Sequence, residues 1–230
     1  MTRVFMNRLI RGFCDRNSGA LFCDLEFVKC RFEQCFFGTV RDPMRRPIAR
    51  RMSLIDCSAN RCHLSAPILE DVRVNGLSSN AVLVLCAPAF RHVTLTGSIC
   101  DLVVNMDEDP AGEYDPVNAE FHKANADYYA TVDWALDITN AEFQNVEIRG
   151  VPADLIRRDP ATQIIVRRKR ALNGVLGELD LSGTHWAGEI EWFLDRGEAD
   201  HVLIAPRRAK NFRRLVEGLR LLQEKRIAEP

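Results

Sequence analysis

Large apolar residues recur every five positions along the first part of the chain. Phe22, Phe27, Phe32 and Phe37 form one block, each preceded two positions earlier by Ala20, Leu25, Cys30 or Cys35. Leu54, Ala59, Leu64, Leu69 and Val74 form a second, with Met52, Cys57, Cys62, Pro67 and Val72 ahead of them. Leu85, Phe90 and Leu95 make a third block, and Ile138, Phe143 and Ile148 a fourth. A helix would repeat at three and four, and a strand at two. Two inward positions in every five instead predict a short straight face followed by a corner. Repeated corners wind the chain into coils that pair edge to edge at ~4.8 Å, so the blocks predict a stack of roughly 19 Å. Phe27 and Phe143 both point inward in this register, and an acid at either is expected to abolish folding.

The phase slips three times. Residues 38–51 carry Pro43 and Pro47 among arginines and read as a loop. Residues 75–80, Asn-Gly-Leu-Ser-Ser-Asn, read as a turn. Residues 106–133 read as a long insertion. At the N-terminus Val4, Phe5, Met6, Leu9, Ile10 and Phe13 recur at helical spacing. They suggest a short capping helix, with an organelle presequence or a membrane-surface helix as alternatives. From about 151 the period of five stops. Gln163–Val166 reads as a strand, and a helix starts at Arg167–Arg170 and runs through Leu172, Val175 and Leu176. Trp186–Leu194 reads as a helix ending near Gly197, and His201–Ile204 as a short strand. Residues 207–227 carry one apolar stripe through Phe212, Leu215, Val216, Leu219 and Leu222, the clearest helix.

Stretches such as Cys30-Arg31-Phe32-Glu33-Gln34 and Ala141-Glu142-Phe143-Gln144-Asn145 resemble the repeat unit of the pentapeptide-repeat family. The family's central Leu or Phe and its small residue two positions earlier are matched over about 75 of 230 residues. The acidic or amide residue usual before the central position is mostly absent, and Pro67 and Pro88 fill small-residue slots. The resemblance implies a mainly β fold, a right-handed β-helix solenoid over 1–150, with 151–230 as an α+β, helical cap or dimerisation segment.

Composition adds less. The chain is 47% hydrophobic and 27% charged with a net charge of −1, ordinary for a globular protein. The charge is uneven: residues 1–100 carry +6, 101–140 carry −9 and 141–230 carry +2. No run long enough to span a membrane is present, and a cytoplasmic location is expected. All eight cysteines lie in the first hundred residues. Cys30, Cys35, Cys57 and Cys62 fall in the inward small-residue slot, where a free thiol packs as a small hydrophobe. Metal ligation and cofactors are therefore not expected.

Candidate chemistry is sparse. No nucleophile elbow, P-loop, dinucleotide fingerprint or metalloprotease pattern occurs, and none of the five histidines lies in such a pattern. No catalytic residue is assigned, although His122 near Glu120 and Asp127 could suit acid–base work in the 106–133 insertion. Candidates for partner binding are Arg41, Arg45, Arg46, Arg50 and Arg51, whose clustered charge could grip phosphate or an acidic partner, and the aromatics Tyr128, Tyr129 and Trp134. The acids Asp107, Glu108, Asp109, Glu113 and Asp115 lack the spacing of a calcium loop. The Arg167–Arg170 run resembles a nucleic-acid or localisation patch or a solvated helix face. The expectation is a non-catalytic protein-binding scaffold, with a bacterial immunity or adaptor protein as one form of it. A DNA mimic or topoisomerase-binding protein and an enzyme built on the insertion are the alternatives. A homodimer through the last helix is possible on this reading, and nucleic acid is disfavoured.

Overall fold

The computed structural model describes residues 1–108, 116–174, 177 and 179–230. Its largest sheet has ten strands, all parallel. The main path runs through Arg3–Met6, Leu21–Val28, Ile48–Asn60, Ile68–Ser78, Val93–Ile99, Leu136–Phe143 and Ile156–Arg157. A six-stranded parallel sheet is formed by Cys14–Arg16, Phe36–Thr39, His63–Ser65, Leu83–Cys86, Leu102–Asn105 and Val146–Ile148. A third, antiparallel sheet sets Gln163–Arg167 between Asp200–Ile204 and Ala228–Glu229. Four α-helices occur among the described residues: α1 (Pro116–Tyr129), α2 (Arg168–Asn173), α3 (Trp186–Asp195) and α4 (Phe212–Glu224).

This arrangement corrects the expected mainly β right-handed β-helix solenoid. The chain is mixed, 43% strand and 23% helix, with large parallel sheets accompanied by helices in an α/β-like way. The sequence repeat misled because it marks backbone bends, not a class of fold. Left-handed residues fall at Arg51, Asp56, Arg61, Ala66, Asp71 and Gly76, one every five positions. Hydrogen-bonded pairing nevertheless runs through those bends, so Ile48–Asn60 is one strand of 13 residues and Ile68–Ser78 one of 11. Arg50 and Arg51 therefore lie on a strand and not in the expected 38–51 loop, where only Pro43–Arg45 forms a short 3₁₀ turn. The expected break at 75–80 is likewise mostly strand, through Ser78.

The N-terminal helix is also corrected. Arg3–Met6 and Leu9–Arg11 are strands, with Phe5 in register with Phe27 and Ile10 with Phe32. The five-residue separation of Phe5 and Ile10 suits this pairing, and it outweighs the helical spacing of their neighbours.

The insertion at 106–133 contains α1. Phe121, Asn125 and Tyr129, four residues apart, form its buried face. Beyond 151 the expected strands and helices are present, but α4 is shorter than the expected 207–227, and Ile156–Arg157 and Ala228–Glu229 are strands that the sequence did not predict. Val175 and Leu176, expected in the helix that became α2, lie outside the described residues. The apolar stripe of α4 is used within the chain: Leu215, Leu219 and Leu222 pack in one core with Trp186, Ile190 and Phe193. The Trp186 indole donates to the Leu215 carbonyl at 3.0 Å, which satisfies the one polar atom of that buried ring. No helix of the described residues is long and apolar enough to cross a membrane.

Candidate functional site

Most of the arginines and aromatics singled out above are tied to the protein itself. Arg46 is buried. It donates to the carbonyls of Ala66 and Ala87, both at 2.8 Å, and to Oδ1 of Asn125 on α1 at 2.7 Å. The guanidinium lies 5.7 Å from the Phe121 ring centroid. Desolvation brings its pKa down to about 10. Arg46 thus fastens α1 to the strand ends. Arg50 pairs with Glu70 at 2.6 Å, and Glu70 also accepts from the Tyr128 hydroxyl at 3.0 Å. Burial first, and then the Glu70 carboxylate, push the Tyr128 phenol up. The Tyr129 hydroxyl accepts the Phe90 N–H at 3.3 Å, inside the core. Arg41 and Arg45 remain exposed, Arg45 donating to the Asn17 carbonyl.

Arg51 belongs to a column of bends. The register stacks Asp24, Arg51 and Asp71 on successive strands, and all three have positive φ. His92, the next bend residue in the column, also has positive φ and contacts Asp71. The charges alternate. Arg51 meets Asp24 at 2.7 Å, and His92 lies between Asp71 at 3.2 Å and Asp133 at 2.7 Å. The Arg51 guanidinium holds Asp24 down at about 2. His92 also packs on Trp134 at 4.7 Å, and Arg157 covers Trp134 at 4.0 Å. The hydrogen bond to Asp133 raises the His92 pKa above its ordinary value, against the opposing effect of desolvation. A raised folded-state pKa means that the folded protein holds this proton more tightly. The contribution to stability is then complete below the unfolded value near 6.5 and is lost as pH rises through the folded value. We expect the stability of the wild type to fall over that interval and that of His92→Gln to change less, as read by urea midpoints at several pH values. Parallel profiles would show that the column is passive.

From the middle of α1, His122 Nε2 lies 2.8 Å from Asp107, which also accepts from Arg196 at 2.7 Å. Burial alone would raise Asp107, but the hydrogen bonds from His122 and Arg196 outweigh it and hold the carboxyl low. The cluster joins the sheets, α1 and the end of α3, and among the described residues no nucleophile is hydrogen-bonded to His122. Glu108 accepts from Ser65 at 2.6 Å, while Asp109, Glu113 and Asp115 lie outside the described residues. Among the described residues no group of three or more His, Cys, Asp or Glu is placed to hold a metal. All eight cysteines are free thiols. Cys30, Cys35 and Cys57 are buried, and each donates to a carbonyl one strand away, Cys57 to Phe27 at 3.3 Å for example.

The feature that sequence reasoning missed lies between the two parallel sheets. An apolar channel of about 440 Å³ runs there, with Phe5, Phe27, Leu54, Val74 and Leu95 stacked in register along one wall. Phe37, Leu64, Leu85 and Val104 stack along the wall opposite. Leu54 and Leu64 remain partly accessible although strands flank them on both sides, so the space reaches the middle of the stack. Of the surrounding residues only His63, Cys35 and Cys62 carry a hydrogen-bonding side chain, and both thiols donate to backbone carbonyls. The volume is within the roughly 300–1,000 Å³ of small-molecule sites.

The channel opens at the first turn of the chain. There Phe5 is 36% exposed, Leu9 45%, Phe13 40% and Leu21 53%. Arg3, Arg8 and Arg16 are exposed around this mouth, while Arg11 is paired with Glu33 at 2.5 Å. The signal in the sequence is the cluster of apolar residues and arginines before position 14, whose spacing also suits a helix.

No family model, curated protein or solved structure matches the chain. The resemblance to the pentapeptide-repeat family therefore has no support beyond the residues that suggested it.

Proposed function

We propose that the protein is a non-catalytic binding scaffold that docks a partner protein on its first-turn end. The observation that carries this reading is the number of large apolar side chains exposed on the N-terminal strands and the start of the next, Val4, Phe5, Met6, Leu9, Phe13 and Leu21, with the exposed Arg3, Arg8 and Arg16 among them. Exposed apolar patches with polar rims mark interaction sites. The strands of the first turn also end both parallel sheets, so a partner strand can add to them through backbone hydrogen bonds. The arginine rim selects a partner segment with acidic residues beside its apolar ones. The interior arginines and aromatics act as internal fasteners on this reading, and the immunity or adaptor role is one form such a scaffold can take.

The test is selection of a displayed peptide library on the immobilised protein. Enriched peptides are expected to combine apolar residues with acidic flanks, and Phe13→Glu, which puts a like charge in the middle of the patch, should reduce their binding at least tenfold. Enrichment of peptides without that character, or equal binding by Phe13→Glu, would overturn the reading.

A further inference from the structure

We infer that the channel binds one long saturated acyl chain, its tail between the sheets and its anionic head at the arginine rim. The inference rests on the first-turn end being a recognition surface and adds the chemistry of what enters there. Shape is the first argument. Five side-chain levels, from Phe5 to Leu95, line one wall. At ~4.8 Å per strand they span roughly 19 Å. A carbon chain built from bonds of ~1.5 Å advances about 1.3 Å per carbon, so roughly fifteen carbons fill that length. Two further columns, Ala49, Leu69 and Phe90 and Ile10, Phe32 and Ala59, close its sides, and about 440 Å³ spread over that length is a long, thin space, which suits an unbranched chain better than a ring system.

Chemistry is the second argument. The wall offers the guest no unspent hydrogen-bonding group except the edge of His63. The tail must therefore be hydrocarbon along its whole length, since any polar atom buried there would be left without a partner. Near the mouth the wall is aromatic: Phe5 stacks on Phe27 at 5.2 Å, and Phe22 meets Phe13 at 5.8 Å and Phe37 at 5.2 Å. Deeper levels are mostly aliphatic, with Leu54, Leu64 and Leu85, and Phe90 as the aromatic exception. Charge is the third argument. Arg3, Arg8 and Arg16 stand exposed at the open end, where an ionised carboxylate keeps its hydration and gains their field. The chain can come from a free fatty acid or from an acylated partner protein, and both present the same tail.

Calorimetric titration of the full chain with saturated fatty acids tests the inference. One equivalent of palmitate should bind, and affinity should rise about fourfold per added methylene from octanoate upward, levelling off near sixteen carbons. Arg8→Glu with Arg16→Glu should weaken palmitate at least tenfold and leave its methyl ester unchanged. An N-palmitoylated acidic peptide binding much more tightly than palmitate would identify a partner-borne chain, and the reverse order a free acid. Ala49→Leu with Ala59→Leu fills the channel from two of its smallest wall residues. That variant should lose palmitate while keeping the selected peptides, so the inference and the docking reading fail separately. Should it not fold, the chain-length series and the rim variants still decide. Absence of saturable binding, or equal affinity for octanoate and palmitate, would overturn the inference.

Discussion

Phe143→Asp is expected to leave no folded protein: no cooperative thermal transition, and material recovered only in the insoluble fraction. Phe143 is 1% exposed and pairs in register with Ile99, itself 1% exposed. Removing a buried Phe side chain costs about 3–5 kcal/mol through lost transfer energy and the cavity left behind. The new carboxylate adds the penalty of a charge with no partner. Together these reach the 5–15 kcal/mol that holds a typical domain. The Phe143 carbonyl also accepts the Arg208 N–H at 3.0 Å, so the damage extends to the segment leading into α4. Phe27→Asp, which the repeat alone ranks as equally severe, should be milder. Phe27 borders the channel one level inside its mouth, and water can follow the acid there. Solubility and melting curves of the two variants compare them directly. Equal collapse would mean that the channel offers no path to solvent.

Arg46→Ala should cost on the order of 3–5 kcal/mol, read as a lowered urea midpoint with little change in slope. The substitution removes a buried cation and strands the acceptors that it served: the carbonyls of Ala66 and Ala87 and the amide oxygen of Asn125. Each buried acceptor left without a donor costs roughly 1–3 kcal/mol. Arg46→Lys should recover only part of this, because one ammonium cannot span acceptors that a planar guanidinium reaches in a fork. Asn125→Ala should fall between the two, and α1 should then become the first region to exchange its amide hydrogens. A variant at Arg46 as stable as the wild type would return this residue to the surface role that its sequence context suggests.

Arg46 also shows where reading from sequence reached its limit. Its neighbours Arg45, Arg50 and Arg51 look the same in a linear chain, yet Arg45 is exposed, Arg50 holds Glu70, Arg51 holds Asp24, and Arg46 is sealed under α1 by a residue 79 positions away. Charge density marked the segment correctly and could not distinguish its members. The His92 contacts had the same character, since Asp133 and Trp134 reach it from across the insertion.

Local chemistry alone determined the spacing of the bends, the inward slots filled by Cys30, Cys35 and Cys57, the strand at Gln163–Arg167, and α3 and α4. Each depends on a periodic pattern or a side-chain size within a short window, which is the information that a sequence carries directly. Only the tertiary structure decided the class of fold, because hydrogen-bonded pairing ran through bends that the repeat had marked as corners and placed α1 against the strand ends. The strands at the N-terminus also depended on it, because Phe5 and Ile10 take their conformation from partners more than twenty residues away. The channel is the clearest case. A period of five tells which residues face inward, but whether their volumes fill the space between two sheets depends on the distance between those sheets, which no stretch of sequence encodes by itself.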